Sequence, residues 1–314
     1  MTTLFVASTG GHLAQLVSLA ERMVGLDRDR LWVSYDCEQT RTLLVNERKI
    51  FVPFIMERNP SGVLRAFGHA REILRDARGI DAVVSTGSSI ALAFLPYAAC
   101  KGIETHYIES AARVGRPSMT GRVLQRVPGV KLYRQYPHVA VGPWRYGGSV
   151  FDGFTAAPAP ARPVRRVVVT VGTDRGFRRL IDGVAALLPP EIEVLWQTGH
   201  TPLEGLDLPA RPFVPASELE QAMRDADVVI AHAGCGSALT ALSAGKRPLL
   251  VPRDPAYGEV VDTHQLEIAH WLKDRNLASV CEPERLSLEV MEAATAWTVE
   301  RVAEPPPFEL SRTQ

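Results

Sequence analysis

Three short stretches hold the residue types that could do chemistry. Ser8-Thr9-Gly10-Gly11-His12 closes an apolar run at the start of the chain, and His232-Ala233-Gly234-Cys235-Gly236-Ser237 closes another late in it. Glycines in such turns let the backbone approach a ligand closely. A helix that follows offers unpaired N–H groups and the positive end of its dipole to phosphate. Imidazole titrates near neutrality, so His12 is suited to take a proton; capping its own turn is the plainer role. Downstream, Asp262-Thr263-His264-Gln265 gathers four hydrogen-bonding side chains at the start of a helical pattern. These types point to a pocket for a phosphorylated, polyhydroxylated ligand, with ordinary strand–turn–helix units as the alternative.

The elements that must position them alternate along the chain. Apolar runs at 3–7, 31–35, 50–55, 82–85 and 105–108 read as buried strands, as do those at 166–171, 193–197, 212–214, 228–231, 249–251 and 278–281. Helical patterns fill the intervals at 13–20, 40–45, 61–78, 90–99, 177–188, 219–225 and 266–272, and a terminal helix is expected over 288–299. Two successive βα halves predict an α/β fold of two Rossmann-like, doubly wound domains with a ligand cleft between them. The expected division is 1–145, a Gly/Pro/Ala-rich linker at 146–165, a second domain at 166–303 and a loose tail at 304–314. Each half carries its small-residue turns at strand ends, where open sheets bind ligands. Gly87 and Ser88 lie in another such turn. Glu109 also stands at a strand end, as a functional carboxylate or as half of a salt bridge.

Charge is segregated. Lys plus Arg and Asp plus Glu both number 35, so the net charge is zero, which argues against a general nucleic-acid binder. Yet Ser110 to Phe151 contains no acidic residue and holds Arg113, Arg116, Arg122, Arg126, Lys131, Arg134 and Arg145 among apolar neighbours. Such a surface can dock on anionic headgroups or hold a diphosphate, unless acids from elsewhere in the fold neutralise it. The four cysteines are scattered without a CxxC, as expected of reduced thiols rather than a disulfide framework or zinc site. No apolar stretch reaches the roughly 18–20 residues of a spanning helix. The expectation is a cytoplasmic protein, peripheral on the inner face of the cell membrane.

Several motifs resemble the MurG-like GT-B inverting glycosyltransferases. In the second half these are TVGT (170–173), QTGH (197–200), HAGCGS (232–237), SAGKRPLLVPR (243–253) and GEVVDTHQLEIA (258–269). STGGH (8–12), STGSS (85–89), YIESAARVGRPSMTGRVL (107–124) and YRQYP (133–137) resemble the partner subunit of the dolichol-pathway UDP-GlcNAc transferase. The chain looks like a fusion of both subunits, a pattern shared with bacterial exopolysaccharide glycosyltransferase pairs.

The resemblance implies transfer of a sugar from a UDP-sugar to a polyprenyl-diphosphate-linked glycan in cell-surface polysaccharide synthesis. On the donor side it implies roles for Gly172, Thr173 and Gln197, for Phe213 and Val214 at the uracil, and for His232, Gly234, Gly236 and Ser237 at the diphosphate. Glu259, Asp262, His264 and Gln265 would serve the sugar or its loop. Thr240 stands where the family often has a ribose-gripping glutamate. Gly10, Gly11, Gly87, Ser88, Arg113, Arg116 and Arg122 would serve the acceptor. The proposed base is His12 first and Glu109 second. Without a compact DxD-like carboxylate pair, metal independence is the expectation, with no cofactor. An anionic membrane surface and other polysaccharide-assembly proteins are the further partners. A non-hydrolysing UDP-GlcNAc 2-epimerase and a non-catalytic UDP-sugar-binding subunit are the alternatives.

Overall fold

The computed structural model describes residues 2–26, 29–55, 60–76, 79–173 and 175–311. The expected helix residues Ala77 and Arg78 and the last three tail positions lie outside the described residues. The chain forms two units. One runs to Val150 and resumes at Pro306; the other is Phe151–Pro305.

In chain order the first unit contains β1 (Thr2–Ala7), α1 (Gly11–Ala20), β2 (Met23–Val24), β3 (Asp29–Tyr35), α2 (Glu38–Leu43), β4 (Arg48–Val52), α3 (Pro60–Asp76), β5 (Ile80–Gly87), α4 (Ser89–Cys100), β6 (Glu104–Ile108), α5 (Met119–Leu124), β7 (Val130–Arg134) and β8 (Trp144–Tyr146). Its sheet has the order β4-β3-β1-β5-β6-β7-β8, and every ladder is parallel. Helices cover both faces of such a sheet, which explains the unbroken apolar runs: Leu4, Val6, Ala7, Val83 and Val84 are fully buried. Helix α4 carries no charged residue and buries Ile90, Ala91, Ala93, Phe94, Leu95 and Ala98.

The second unit contains β9 (Phe154–Pro158), β10 (Arg166–Thr170), α6 (Arg178–Leu187), β11 (Glu193–Gln197), β12 (Ala210–Arg211), α7 (Ala216–Asp225), β13 (Val228–Ala231), α8 (Cys235–Ser243), β14 (Leu249–Leu250), α9 (His264–Asp274), β15 (Ser279–Val280), α10 (Leu288–Thr295) and β16 (Trp297–Arg301). Its parallel sheet has the order β12-β11-β10-β13-β14-β15. In both units the strand order reverses beside the first long strand, between β1 and β5 and between β10 and β13. Those are the topological switch points of doubly wound sheets, where a crevice opens beyond the strand ends.

Four expectations differ from the structure. The strand expected at 212–214 is not formed; the edge strand is β12, just before it. Part of the stretch expected as linker is regular structure: its first residue, Tyr146, ends the edge strand β8, and β9 pairs antiparallel with β16. The expected terminal helix stops at Thr295, because the aromatic and β-branched run Trp297-Thr298-Val299 belongs to that ladder. The tail is not loose over its described part. β17 (Phe308–Glu309) pairs with β2, and Phe308 is fully buried. A Cβ on Gly147 would come within 2.9 Å of the Phe308 ring, so the glycine makes room for it. Arg22 donates to Pro306 O at 2.8 and 3.0 Å and to Ser149 O at 2.7 Å, holding the returning and departing segments together.

Candidate active site

At the first switch point the turns after β1 and β5 are bonded into one another. His12 Nδ1 lies 2.7 Å from Thr86 O, and the Thr86 hydroxyl donates to His12 O at 2.8 Å. Ser8 N–H donates to Gly87 O at 3.0 Å, and Ser88 N–H donates to Ser8 Oγ at 3.3 Å. A carbonyl only accepts, so the Thr86 contact fixes the proton on Nδ1 and puts the lone pair of the neutral ring on Nε2. A Cβ on Gly87 (φ +105°) would sit 3.1 Å from the His12 ring, so this position has room for little beyond glycine. Gly11 opens α1, and Gly10 is exposed with φ +79°. The Gln39 amide holds the Gly10 peptide from both sides, accepting from its N–H at 2.6 Å and donating to its carbonyl at 3.4 Å.

Glu109 is placed differently from the expectation of a second base. It is 1% exposed, and its carboxylate accepts from the Tyr107 hydroxyl, Ser110 N–H, Ser118 N–H and the Ser118 hydroxyl at 2.8–3.1 Å. A Cβ on Gly121 would collide with it. The carboxylate therefore anchors the loop between β6 and α5, and it does so through hydrogen bonds rather than a salt bridge. Arg134 braces the same loop from β7. It is 1% exposed and donates to the carbonyls of Arg113, Val114 and Gly115 at 2.9–3.0 Å.

The basic window thus splits into two sets. Arg134 is internal, and Lys131 pairs at 2.5 Å with Glu104, an acid from outside the window. Arg113 is half-buried, while Arg116, Arg122, Arg126 and Arg145 are exposed, as are Met119 and Val123 on α5.

At the second switch point the strand ends meet around His232. Its ring nearly touches two glycines: a Cβ on Gly172 (φ +76°) would come within 2.7 Å, and one on Gly234 would collide. Burial, then the charge of Arg253, pushes the His232 pKa down to about 3, so the ring is neutral. Nδ1 faces Thr170 O at 3.4 Å. Ala233, buried beside it, has φ 55° in the left-handed region. Gly234 caps α8, whose first turn contains Gly236 and Ser237. Thr173 is exposed on the facing loop. Cys235 opens α8, but burial pushes its thiol up to about 12 and keeps it protonated.

Several expected ligand residues serve the protein itself. Gln197 donates to Thr170 Oγ1 at 3.0 Å and accepts from Val214 N–H at 3.2 Å, so the Val214 amide is committed and Phe213, 60% exposed, is the open member of that pair. Thr240 donates to Gly236 O at 3.0 Å within its helix. Glu259 receives a bidentate pair from Arg179 at 2.9 and 3.0 Å and the Asp254 N–H at 3.0 Å, so it holds the loop before α9. Arg179 lies 4.0 Å from the centre of the Tyr257 ring and also pairs with Glu284 at 2.7 Å. His264 Nδ1 is bonded to the Asp262 carboxylate, and both groups are partly exposed. Gln265 is buried, with Oε1 accepting from Arg253 N–H at 3.1 Å. Among the described residues no cluster of three or more His, Cys, Asp or Glu side chains is placed to hold a metal ion, and no helix is long and apolar enough to cross a membrane.

Gln39, Arg179 and Arg253 are not legible as site residues in the sequence, and Arg134 is legible only as part of the basic window, not as an internal brace. Each acts on backbone or side chains distant in sequence, which no local pattern reveals.

Comparison with known proteins agrees with this fold. Residues 166–296 match the glycosyltransferase family 28 C-terminal domain. Over 312 residues the chain is 24% identical to the UDP-N-acetylglucosamine--N-acetylmuramyl-(pentapeptide) pyrophosphoryl-undecaprenol N-acetylglucosamine transferase of Wolinella succinogenes, spanning 90% of this chain and 88% of that protein. The crystal structure of Acinetobacter baumannii MurG is similar in fold, with a TM-score of 0.56 at 21% identity over 93% of this chain and 89% of that one. So is the glycosyltransferase SnogD from Streptomyces nogalater, with a TM-score of 0.55 at 19% identity over 94% and 90%. Two doubly wound units and these likenesses give the chain the GT-B architecture of glycosyltransferases, with a glycosyltransferase family 28 C-terminal domain over residues 166–296 and a likeness to MurG along most of its length.

Proposed function

We propose that the chain transfers a sugar, with inversion, from a UDP-sugar to a polyprenyl-diphosphate-linked acceptor in cell-surface polysaccharide synthesis. The observation that carries this reading is the bonded pair of turns holding His12 at one switch point, matched by a glycine turn and helix start at the other. The name of the Wolinella relative joins a UDP-sugar to a pyrophosphoryl-undecaprenol acceptor, which supports the same two substrate classes here.

In this mechanism the acceptor hydroxyl oxygen attacks the anomeric carbon from the face opposite the nucleotide. The bond from that carbon to the diphosphate oxygen breaks, and the hydroxyl proton passes to His12 Nε2. N–H groups and the dipole at the start of α8 meet the charge of the departing UDP, so the step is metal-independent. Asp262, His264 and Gln265 serve the sugar, and Phe213 serves the uracil. Gly10, Gly11, Gly87 and Ser88 form the acceptor turn. Arg113, Arg116 and Arg122 receive the acceptor diphosphate. Exposed Met119 and Val123 beside Arg116, Arg122 and Arg126 support peripheral docking on the anionic cytoplasmic leaflet.

The test is UDP release from a panel of UDP-sugars, with and without a polyprenyl-diphosphate-linked monosaccharide and in the presence of EDTA. Acceptor-dependent, EDTA-resistant release is expected. Epimerisation of the donor without acceptor, or tight UDP binding without turnover, overturns the proposal.

A further inference from the structure

Arg253 follows β14 and is 3% exposed. Its guanidinium donates to Val171 O at 2.7 Å, Arg175 O at 2.7 Å and Gly176 O at 3.1 Å. Its backbone N–H donates to Gln265 Oε1 at 3.1 Å. One residue therefore ties the loop after β10 to the start of α9. The guanidinium carbon also lies 5.4 Å from the centre of the Phe177 ring, at the far end of that loop.

We infer that Arg253 is a positioning residue for the diphosphate of the nucleotide donor: it sets residues 171–173 and 175–176 and Gln265 around the start of α8 and keeps a permanent positive charge behind them. The inference rests on the donor-site reading proposed above.

Three carbonyl dipoles converge on one point in this loop. Their negative ends repel one another unless a cation with several donors sits among them, and the planar guanidinium has five. Turning those carbonyls inward also keeps their negative ends away from an anion held at the neighbouring turn. Gly172 belongs to this loop and packs on the His232 ring, which in turn packs on Gly234 at the α8 cap. A displacement of the loop is thus felt at the helix start through two contacts. The charge reaches the same place: after burial, Arg253 is the largest influence keeping His232 unprotonated. A buried cation behind a neutral imidazole and a helix start favours a diphosphate over an uncharged ligand.

The discriminating probes are UDP and uridine, which differ only in the diphosphate. Binding of both is measured by NMR titration on wild-type protein, Arg253→Met and Arg253→Lys, with thermal unfolding as the control for folding. In Arg253→Met the UDP Kd is expected to rise about tenfold, with uridine affinity within about twofold of wild type. The KM for the UDP-sugar should rise in parallel and kcat should stay within about threefold. Arg253→Lys keeps the charge without the planar fork, so its UDP Kd should rise by only about threefold, again with uridine unchanged. If the methionine variant does not fold, the lysine variant decides alone. Equal losses of UDP and uridine would make Arg253 a general brace, and an unchanged UDP Kd would give it no part in the site; either overturns the inference. Wild-type protein that binds no UDP overturns the donor-site reading as well, which separates the two failures.

Discussion

The His12 ring and Thr86 are bonded twice: the imidazole Nδ1 lies 2.7 Å from the threonine carbonyl oxygen, and the threonine hydroxyl donates to His12 O at 2.8 Å. A backbone carbonyl thus does for His12 what a carboxylate does in many enzyme sites. It orients the ring and fixes the tautomer that can accept a proton at Nε2. His12→Ala should lower turnover by about 10²-fold or more while leaving UDP affinity intact. Steady-state kinetics with saturating donor and acceptor check this, and turnover near wild type would remove His12 as the base.

Glu109 makes the contrasting case. Its carboxylate is buried and receives four hydrogen bonds, one from Tyr107 on β6 and three from its own loop. Glu109→Gln replaces one accepting oxygen by a donor that faces other donors. Stability should fall by about 1–3 kcal/mol, read as a lower urea midpoint. A folded variant of unchanged stability that loses turnover would return Glu109 to the role of base.

Gly234 and His232 should be energetically coupled. A Cβ at position 234 collides with the imidazole, so Gly234→Ala alone should cost about 1–3 kcal/mol and weaken UDP binding. In a His232→Ala background the same change should cost much less. A double-mutant cycle of urea unfolding measures the difference, and additive effects would mean the turn relaxes around the methyl group.

Two histidines link stability to pH, one in each unit. Burial pushes His106 down to about 4 and His232 down to about 3, from an ordinary value of 6.5. For His106, Glu104 pulls upward and Lys131 downward. Between these values and about pH 6.5 the unfolded chain binds protons that the folded chain refuses. Their contribution to stability is complete above about pH 6.5 and declines as the solution is acidified through that window. Urea midpoints from pH 7 to 4 should fall, and the decline should be shallower in His232→Gln. An identical slope in the variant would mean that His232 takes up its proton in the folded state.

The tail beyond Pro306 should be part of the first unit's stability. Phe308 is fully buried, and Lys131 and Tyr133 bond to Ser311. Phe308→Ala should destabilise that unit by about 3–5 kcal/mol. Removal of residues 306–314 should do at least as much. Hydrogen exchange would locate the loss in β2 and β7, and an unchanged exchange pattern would mean the tail packs without holding the fold.

Composition and pattern alone determined the βα alternation, the two doubly wound halves, and the glycine turns at 10–12, 87–88 and 232–237. A parallel strand buried on both faces must be an unbroken apolar run, and a backbone turning sharply beside a histidine ring must be glycine, so both leave a local signature. The strands β7, β8, β9, β16 and β17 had no such signature. They are short or carry charges whose partners lie far away, such as Lys131 with Glu104 and Ser311. The chemical assignments divided in the same way. A carboxylate at a strand end reads identically as a base or as a brace, and only the tertiary structure shows the four donors that favour the brace for Glu109. Gln197 and Glu259 looked like ligand groups until their partners were known. Arg134 and Arg253 carry no local sign of burial, because the carbonyls that satisfy a guanidinium belong to segments brought near only by folding. Which polar groups are already satisfied by the protein, and which are left for a substrate, is a property of the tertiary structure.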